Sequence, residues 1–193
     1  MKTTLCFVRH GQTEWNKQTR IQGRVNNPLN NNGINQAKDL GKYLKDNNND
    51  WDIVVSSPLA RAYETASIIH DILEMSKPII IEDDFMEREF GDCEGALITK
   101  ELFVDIVADN IPNMETSEEI QNRVYNATIK IAEKYSGKKI LIVAHSHVIK
   151  GLLTKLDTKY SFNDLMYNSA LNFFTYSDNK IKIEGINIST HLD

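Results

Sequence analysis

The sequence lacks two features that would assign the protein to a special class. It has only two cysteines, Cys6 in an apolar run and Cys93 far along the chain, so we expect neither a disulfide framework nor a cysteine-rich metal site. It also has no long apolar run: the stretch at residues 5–8 is broken by Arg9 and is much too short for a signal peptide or a membrane span. We therefore expect a cytoplasmic protein with no membrane partner.

The chain also lacks an excess of positive charge. Its 22 Lys and Arg residues are outnumbered by 27 Asp and Glu residues, and the formal net charge is −5. Proteins that wrap nucleic acid gain their affinity from many Lys and Arg contacts with phosphates, so this balance argues against a nucleic acid partner. A small anionic ligand is compatible with it, provided that arginines cluster locally.

What the sequence does contain is the composition of an ordinary globular protein. Its 193 residues are 41% hydrophobic and 25% charged, which suits a single domain over residues 1–193. Continuous apolar runs, typical of parallel strands covered on both faces, predict four strands at 3–8, 52–56, 78–82 and 139–144. Two further strands, at 170–176 and 180–189, are predicted as a hairpin that adds an antiparallel edge.

The segments between the strands have helical spacing. One helix carries an apolar face, a second is predicted to use Ser57 as its N-cap with Pro58 at its first position, and a third begins at a capping box. The apolar face comprises Ile34, Ala37, Leu40 and Leu44, and the capping box is Thr116 with Glu119. Asparagine-rich stretches at 30–32 and 47–49 predict loops or helix ends. Alternating strands and helices predict an α/β fold, a three-layer α/β/α sandwich with a mostly parallel central sheet and an antiparallel C-terminal edge.

Reactive side chains follow the ends of the predicted strands. Arg9 and His10 end the first strand, Arg61 comes just after the second, Glu87 follows the third, and His145 directly follows the fourth. Ligands of doubly wound sheets collect beyond the carboxyl ends of the strands. We therefore expect these five side chains to meet in one site.

Each of these residue types suits phosphoryl transfer. A neutral imidazole at His10 is a competent nucleophile towards phosphorus, and a phosphohistidine would divide one displacement into two easier ones. Arg9 and Arg61 offer planar forks of N–H donors for phosphate oxygens, and His145 can donate a further hydrogen bond. Glu87 would protonate the leaving group and then activate water, for which partial burial should raise its pKa.

A metal site is an alternative interpretation of the same residues. His145 and His147 form an H-x-H step at a strand end, which His10, Glu87 and Asp92 could complete. This interpretation leaves the two arginines unexplained, and positive side chains are poor neighbours for a divalent cation. We therefore favour phosphoryl transfer and predict no metal and no cofactor.

Five sequence blocks, in this order, resemble the histidine phosphatase superfamily, in the branch that includes the cofactor-dependent phosphoglycerate mutases. The blocks are RHGQTEWN at 9–16; Gln22-Gly23 with Pro28-Leu29 and Gly33-x-x-Gln36-Ala37; Ser56-Ser57-Pro58-x-x-Arg61-Ala62-x-x-Thr65-Ala66; Glu87 with Phe90-Gly91-Asp92 and Glu94-Gly95; and Ala144-His145. The resemblance covers nearly the whole chain.

The resemblance implies a role for each matching residue. It implies that His10 is the phosphorylated nucleophile and Glu87 the proton donor, and that no metal is used. It further implies that Arg9, Arg61 and His145 bind the phosphoryl group and that Asn16, Gln22 and Gly23 line the substrate pocket. Ser146 stands where family members usually place glycine, beside the phosphate, and Cys93 stands where tryptophan is common. We therefore include Ser146 among the substrate-binding residues.

The resemblance leaves open whether the acceptor is water or a second hydroxyl. Residues 96–114 are short for the lid of this family, and the chain has no Arg-Arg pair of the kind that helps a mutase to hold a bisphosphate. An open site would exclude water from a phosphohistidine poorly. We therefore predict a metal-independent phosphomonoesterase that acts on small phosphorylated metabolites. A phosphoglycerate mutase is the main alternative, and a non-catalytic phosphate-binding module is a lesser one. The oligomeric state is not predicted.

Overall fold

The computed structural model describes residues 1–47 and 50–191. Within them, six strands form one sheet: β1 (Thr3–Arg9), β2 (Ile53–Ser56), β3 (Ile80–Ile81), β4 (Lys139–Ala144), β5 (Leu171–Ser177) and β6 (Lys180–Ile188). Their order across the sheet is β3-β2-β4-β1-β5-β6. The first four strands run parallel to one another, and β5 and β6 are antiparallel to their neighbours.

Helices cover both faces of this sheet. The described residues contain α1 (Glu14–Lys17), α2 (Asn31–Asn47), α3 (Ala60–Ile72), α4 (Lys100–Val107), α5 (Ser117–Lys134) and α6 (Ser146–Leu156). Helices α2 and α3 pack on one face, and α5 and α6 pack on the other. In this part of the chain, no helix has the length and apolar character needed to cross a membrane.

The continuous apolar runs arise because both faces of the central strands are buried. Successive side chains of a strand point to opposite faces, and in β1 Leu5 and Phe7 join the core under α5 and α6. Cys6 and Val8 join the core under α2 and α3. The predicted three-layer α/β class with a mostly parallel sheet is confirmed.

The predicted antiparallel edge is also present. The two residues between β5 and β6, Asp178 and Asn179, both have positive φ angles, 51° and 58°. Positive φ at both central positions is the mark of the type I′ turn that joins hairpin strands tightly. The capping box of Thr116 and Glu119 is formed at the start of α5 as predicted. Asparagines begin and end α2, whereas residues 48 and 49 lie outside the described residues.

Two predicted boundaries are wrong. Helix α3 begins at Ala60 with Leu59 in the N-cap position, so Pro58 precedes the helix and Ser57 does not cap it. The Ser57 hydroxyl instead accepts from the Leu59 amide at 3.3 Å and lies against His145. The strand predicted at 78–82 shortens to Ile80–Ile81 at the edge of the sheet. An edge strand has one neighbour and incomplete cover, and Ile81 is 45% exposed.

The strand register determines which residues meet at the carboxyl edge of the sheet. Arg9 pairs with Ala144 across β1 and β4, and the next amide, that of His10, donates to the Ala144 carbonyl oxygen at 3.0 Å. The amide of Ser57 donates to the Val143 carbonyl oxygen at 3.0 Å. The residues that follow three adjacent strands therefore lie side by side.

The loop after β1 is held against α2 by direct backbone contact at Gly33. A methyl group at this position would lie 2.1 Å from the Gln12 carbonyl oxygen, a clash with backbone that cannot rotate away. We expect Gly33→Ala to lower the free energy of unfolding by about 1–3 kcal/mol, measured by urea denaturation. The same change would stabilise an ordinary exposed helical position.

The control for this experiment is Asn35→Ala, at an exposed position of the same helix. It should change the free energy of unfolding by less than about 0.5 kcal/mol. If Gly33→Ala were as stable as this control, the close contact between α2 and the loop after β1 would be refuted.

Candidate active site

A cavity of about 170 Å³ opens at the carboxyl edge of the sheet. Every side chain or glycine that the sequence predicted for the site lines it, except His145. The lining residues among those predicted are Arg9, His10, Asn16, Gln22, Gly23, Arg61, Glu87 and Ser146. Residues that are far apart in sequence are therefore brought together as predicted.

His10 is buried at the base of this cavity with one nitrogen free of a proton. Its Nδ1 lies 2.7 Å from the Gly11 carbonyl oxygen, and Arg61 Nε donates to its Nε2 at 3.2 Å. A carbonyl can only accept and a guanidinium can only donate, so Nδ1 carries the proton and Nε2 carries the lone pair. Burial, together with the positive charges of Arg61 and Arg9, holds the pKa of His10 well below its ordinary value.

Arg61 is held in place by backbone carbonyls. It is 1% exposed near the start of α3; its Nη1 donates to the Val25 carbonyl at 2.8 Å and its Nη2 to the Gly23 carbonyl at 2.7 Å. Gly23 has φ +52°, and a Cβ atom there would collide with Glu94. Burial lowers the pKa of Arg61 to about 10, and the charge of Glu87 opposes that shift. The guanidinium is therefore rigid, with Nε directed at His10.

Arg9 directly precedes His10 and contributes a second guanidinium to the cavity. Its Nη1 donates to the Met166 carbonyl, and its buried Nε has no hydrogen-bond partner among the described residues. The segment before β5 supports this strand end, because Asn168 Nδ2 donates to the His10 carbonyl at 2.8 Å and the Ser169 amide donates to the Arg9 carbonyl at 2.8 Å. Burial lowers the pKa of Arg9, and Glu87 opposes the shift.

His145 lies next to His10 and does not line the cavity. It is completely buried, its ring centroid is 5.2 Å from that of His10, and its Nε2 is 2.8 Å from Ser57 Oγ. Its Nδ1 has no hydrogen-bond partner among residues 1–47 and 50–191. Burial and the nearby charge of Arg61 hold the pKa of His145 well below its ordinary value.

Glu87 is the carboxyl group of the cavity. It is 7% exposed, and its Oε1 accepts from the Arg88 amide at 2.9 Å and from the His147 amide at 3.2 Å. Burial raises the pKa of Glu87, whereas these amides and the charges of Arg61 and Arg9 act in the opposite direction. The net shift is upward, which is the direction expected from the sequence.

Asn16 and Gln22 are oriented by Thr13, the N-cap of α1. The Thr13 hydroxyl donates to Gln22 Oε1 at 2.8 Å, and the Thr13 amide donates to Asn16 Oδ1 at 3.1 Å. Both side-chain carbonyl oxygens are therefore engaged. The amide NH₂ groups are left as the donors with which these residues can meet an anionic ligand.

Six cavity residues were missed by the sequence prediction: Arg20, Ile21, Ile98, Phe103, Ile106 and Lys150. Phe90 and His147 also line the cavity; the sequence had placed Phe90 in a family block and His147 only in the metal alternative. Arg20 had no sequence signal, because its position depends on the pairing of residues 20 and 97 in an isolated bridge. Lys150 had one: it lies four residues after Ser146, so the two share a face of α6. The short lid contributes an apolar wall to the cavity.

The H-x-H alternative finds no support in this geometry. The His147 ring packs between Phe90 and Phe162, with centroids 4.9 and 5.2 Å away, while the His145 ring lies against Ser57. Within the described ranges 1–47 and 50–191, no group of three or more His, Cys, Asp or Glu side chains is arranged to hold a metal ion. The two histidines therefore do not point at a common centre.

Comparison with known proteins identifies the family. The sequence profile of the histidine phosphatase superfamily (branch 1) matches residues 5–189. The chain belongs to this superfamily, as its sequence blocks predicted. It is 42% identical over 194 residues to a Bacillus subtilis protein named uncharacterized phosphatase PhoE, with 98% of this chain and 97% of that protein covered.

Solved structures of both phosphatases and mutases share the fold. A phosphoserine phosphatase from Entamoeba histolytica in complex with 3-phosphoglyceric acid has a TM-score of 0.83 at 26% identity, covering 98% of this chain and 99% of its own. A phosphoglycerate mutase from Bacillus anthracis has a TM-score of 0.87 at 26% identity, covering 99% and 95%. The overall fold alone therefore does not distinguish hydrolysis from mutase activity.

The hydrogen bonds of His10 predict its protonation state in solution. At pH 6.5, where an unperturbed histidine is half protonated, His10 should remain neutral with its proton on Nδ1. Long-range ¹H–¹⁵N correlation spectra, assigned with a His10→Asn variant, would show this. Half protonation of His10 at that pH would contradict the arrangement.

Arg61→Gln is the matched variant for this measurement. The cation at Arg61 disfavours the imidazolium form, so its removal should raise the pKa of His10 towards the ordinary value. An unchanged titration of His10 in that variant would show that the charge of Arg61 does not act on His10.

Proposed function

We propose that this histidine phosphatase is a metal-independent phosphomonoesterase that hydrolyses small phosphorylated metabolites through a phosphohistidine on His10. The observation that carries the proposal is the unprotonated Nε2 of a neutral imidazole, aligned by Arg61 at the base of a cavity lined by cations. Titratable groups with shifted pKa values in a cleft are typical of catalytic sites. We further propose that residues 1–193 form one histidine phosphatase-like domain and that the protein is cytoplasmic.

In the first step, the lone pair of His10 Nε2 attacks phosphorus and the P–O ester bond breaks. The departing alkoxide takes the proton of Glu87, which burial keeps on the carboxyl group to a higher pH than usual. The phosphoryl group displaces the Arg61 Nε–H from the nitrogen, and that donor then bonds a phosphoryl oxygen. Such preorganised donors are worth about 10²- to 10³-fold each in rate.

In the second step, water attacks the phosphohistidine and Glu87 takes the proton of that water. The P–N bond breaks, inorganic phosphate leaves, and His10 and Glu87 return to their starting states. Arg9 and Arg61 stabilise the charge on the phosphoryl oxygens in both steps. We also propose that His145 donates a hydrogen bond to the phosphoryl group. Its ring centroid lies 5.2 Å from that of His10, and its Nδ1 has no hydrogen-bond partner among the described residues.

The names of similar proteins support this substrate class. One relative is named a metal-independent phosphoserine phosphatase and another a phosphoglycerate mutase, and one structural neighbour was solved in complex with 3-phosphoglyceric acid. Water is favoured over a second substrate hydroxyl because the lid segment is short. Residues 97 and 98 of that segment are exposed, by 54% and 39%.

The test of this proposal is the fate of phosphate from 3-phosphoglycerate in the presence of a trace of 2,3-bisphosphoglycerate. The wild-type protein should release inorganic phosphate without added metal. His10→Ala should lower turnover by about 10⁴-fold or more and abolish acid-labile labelling, because the nucleophile is removed. His70→Ala, at the far end of α3, is the control and should leave both unchanged.

Two results would contradict the proposal. If the 2-isomer appeared rapidly without inorganic phosphate, the protein would be a mutase. Hydrolysis that survives in His10→Ala would eliminate His10 as the nucleophile.

The role of Glu87 predicts a dependence on the leaving group. Glu87→Gln should lower kcat/KM for an alkyl phosphate by about 10²- to 10⁴-fold, because the alkoxide needs a proton. It should affect p-nitrophenyl phosphate far less, because nitrophenolate leaves without one. For the alkyl ester, wild-type kcat/KM should fall as the pH rises through the raised pKa of Glu87, and the variant should lack this limb.

The control is Glu89→Gln, a neighbouring exposed carboxylate that pairs with Arg24 on the surface. It should leave both rates unchanged. Equal losses of kcat/KM on the two esters in Glu87→Gln would rule out Glu87 as the general acid.

A further inference from the structure

Lys150 is a buried charge that the proposed mechanism does not use. It is 8% exposed, lines the cavity, and donates from Nζ to the Phe162 carbonyl at 3.0 Å. No ion pair among the described residues includes it. A buried ammonium that has only a backbone carbonyl as its partner is costly, so a counter-ion from a ligand would stabilise it.

The position of Lys150 on α6 relates it to the phosphoryl site. Helix α6 begins directly after His145, and Lys150 lies on the same face as Ser146, about one turn or 5–6 Å further along the helix. Its ammonium donates to the Phe162 carbonyl and lies close enough to Arg9 and Glu87 for both charges to shift its pKa. It therefore faces the space next to the phosphoryl group.

The positive side chains that line the cavity outnumber the negative ones, so the cavity can bind a second anionic group besides the phosphoryl group. The charged lining residues are Arg9, Arg20, Arg61 and Lys150 against one carboxyl group, Glu87. Arg9 and Arg61 flank His10 and match the phosphoryl oxygens. Lys150 is then only partly compensated: burial lowers its pKa to about 8, and the charges of Glu87 and Asp164 oppose that shift.

The size and lining of the cavity indicate which anion fits. At about 170 Å³ it is smaller than the roughly 300 Å³ at which sites for drug-sized ligands begin. Apolar side chains, among them Ile21, Phe90 and Phe103, form the rest of the wall. A second phosphate would favour a further guanidinium fork, and that of Arg20 is already partly engaged, because its Nε donates to Gln18 Oε1 and its Nη1 to the Gly95 carbonyl. The single ammonium of Lys150 suits a carboxylate.

We infer that Lys150 is a specificity-determining residue that binds a carboxylate of the substrate. The favoured substrates are therefore phosphomonoesters whose carboxylate is separated from the ester oxygen by a short carbon chain. This inference rests on the proposed phosphatase function. It adds a subsite to the phosphoryl-binding residues and changes none of their roles.

A matched pair of substrates tests this subsite. 3-Phosphoglycerate and glycerol 3-phosphate have the same kind of phosphoester and differ in a carboxylate against a neutral hydroxymethyl group. In Lys150→Met, kcat/KM for 3-phosphoglycerate should fall about 10- to 100-fold, because a charge-assisted hydrogen bond is lost. The value for glycerol 3-phosphate should stay within about twofold, and Lys150→Arg should keep the wild-type preference.

The control variant is Lys155→Met, which removes the same charge from an exposed position of the same helix. It should alter neither rate. Lys150→Gln provides a second, polar replacement should the methionine variant fold poorly, and thermal denaturation of all variants separates loss of fold from loss of selectivity.

The outcomes distinguish this inference from the function on which it rests. If Lys150→Met and Lys150→Gln lowered both kcat/KM values equally, or lowered neither, the subsite would be refuted while the phosphatase activity stood. If the wild-type protein released phosphate from neither ester, the proposed function would fail and the subsite with it.

Discussion

The hydrogen bond from Arg61 Nε to His10 Nε2 joins two buried side chains that are 51 positions apart in the sequence. The bond requires an unprotonated Nε2, which leaves the proton of the imidazole on Nδ1. It also requires a guanidinium that cannot move away, and the carbonyls of Gly23 and Val25 provide this restraint. The strand end, the start of α3 and the loop at 23–25 are thus held in one arrangement by a single charged group.

Burial of so much positive charge is unfavourable unless polar groups surround it. In this site the compensation comes mostly from backbone carbonyls, at Gly23, Val25 and Met166, and only partly from the carboxyl group of Glu87. Carbonyls can satisfy the guanidinium N–H groups without neutralising the charge. The cavity therefore keeps the positive potential that attracts a phosphate, in a protein with a net charge of −5.

Burial shifts the pKa values of the two titrating groups proposed for catalysis in opposite directions. Burial favours the uncharged form of each group, so it lowers the pKa of His10 and raises that of Glu87. A neutral nucleophile and a protonated acid can then be present together. The arginines lower the pKa of the histidine further and limit the rise at the carboxyl group, which keeps Glu87 able to release its proton.

The sequence by itself determined the class of fold and most of the proposed site. Continuous apolar runs in strands such as β1 require cover on both faces, and the carboxyl edge of a parallel sheet must bring Arg9, His10 and His145 together. Other contacts of the site were decided by the tertiary structure alone. Ser57 lies against His145 because β2 and β4 are neighbours in register, and Arg20 enters the cavity because residues 20 and 97 pair in an isolated bridge. Such contacts depend on distances between elements that are remote in the chain, and local sequence patterns carry no information about those distances.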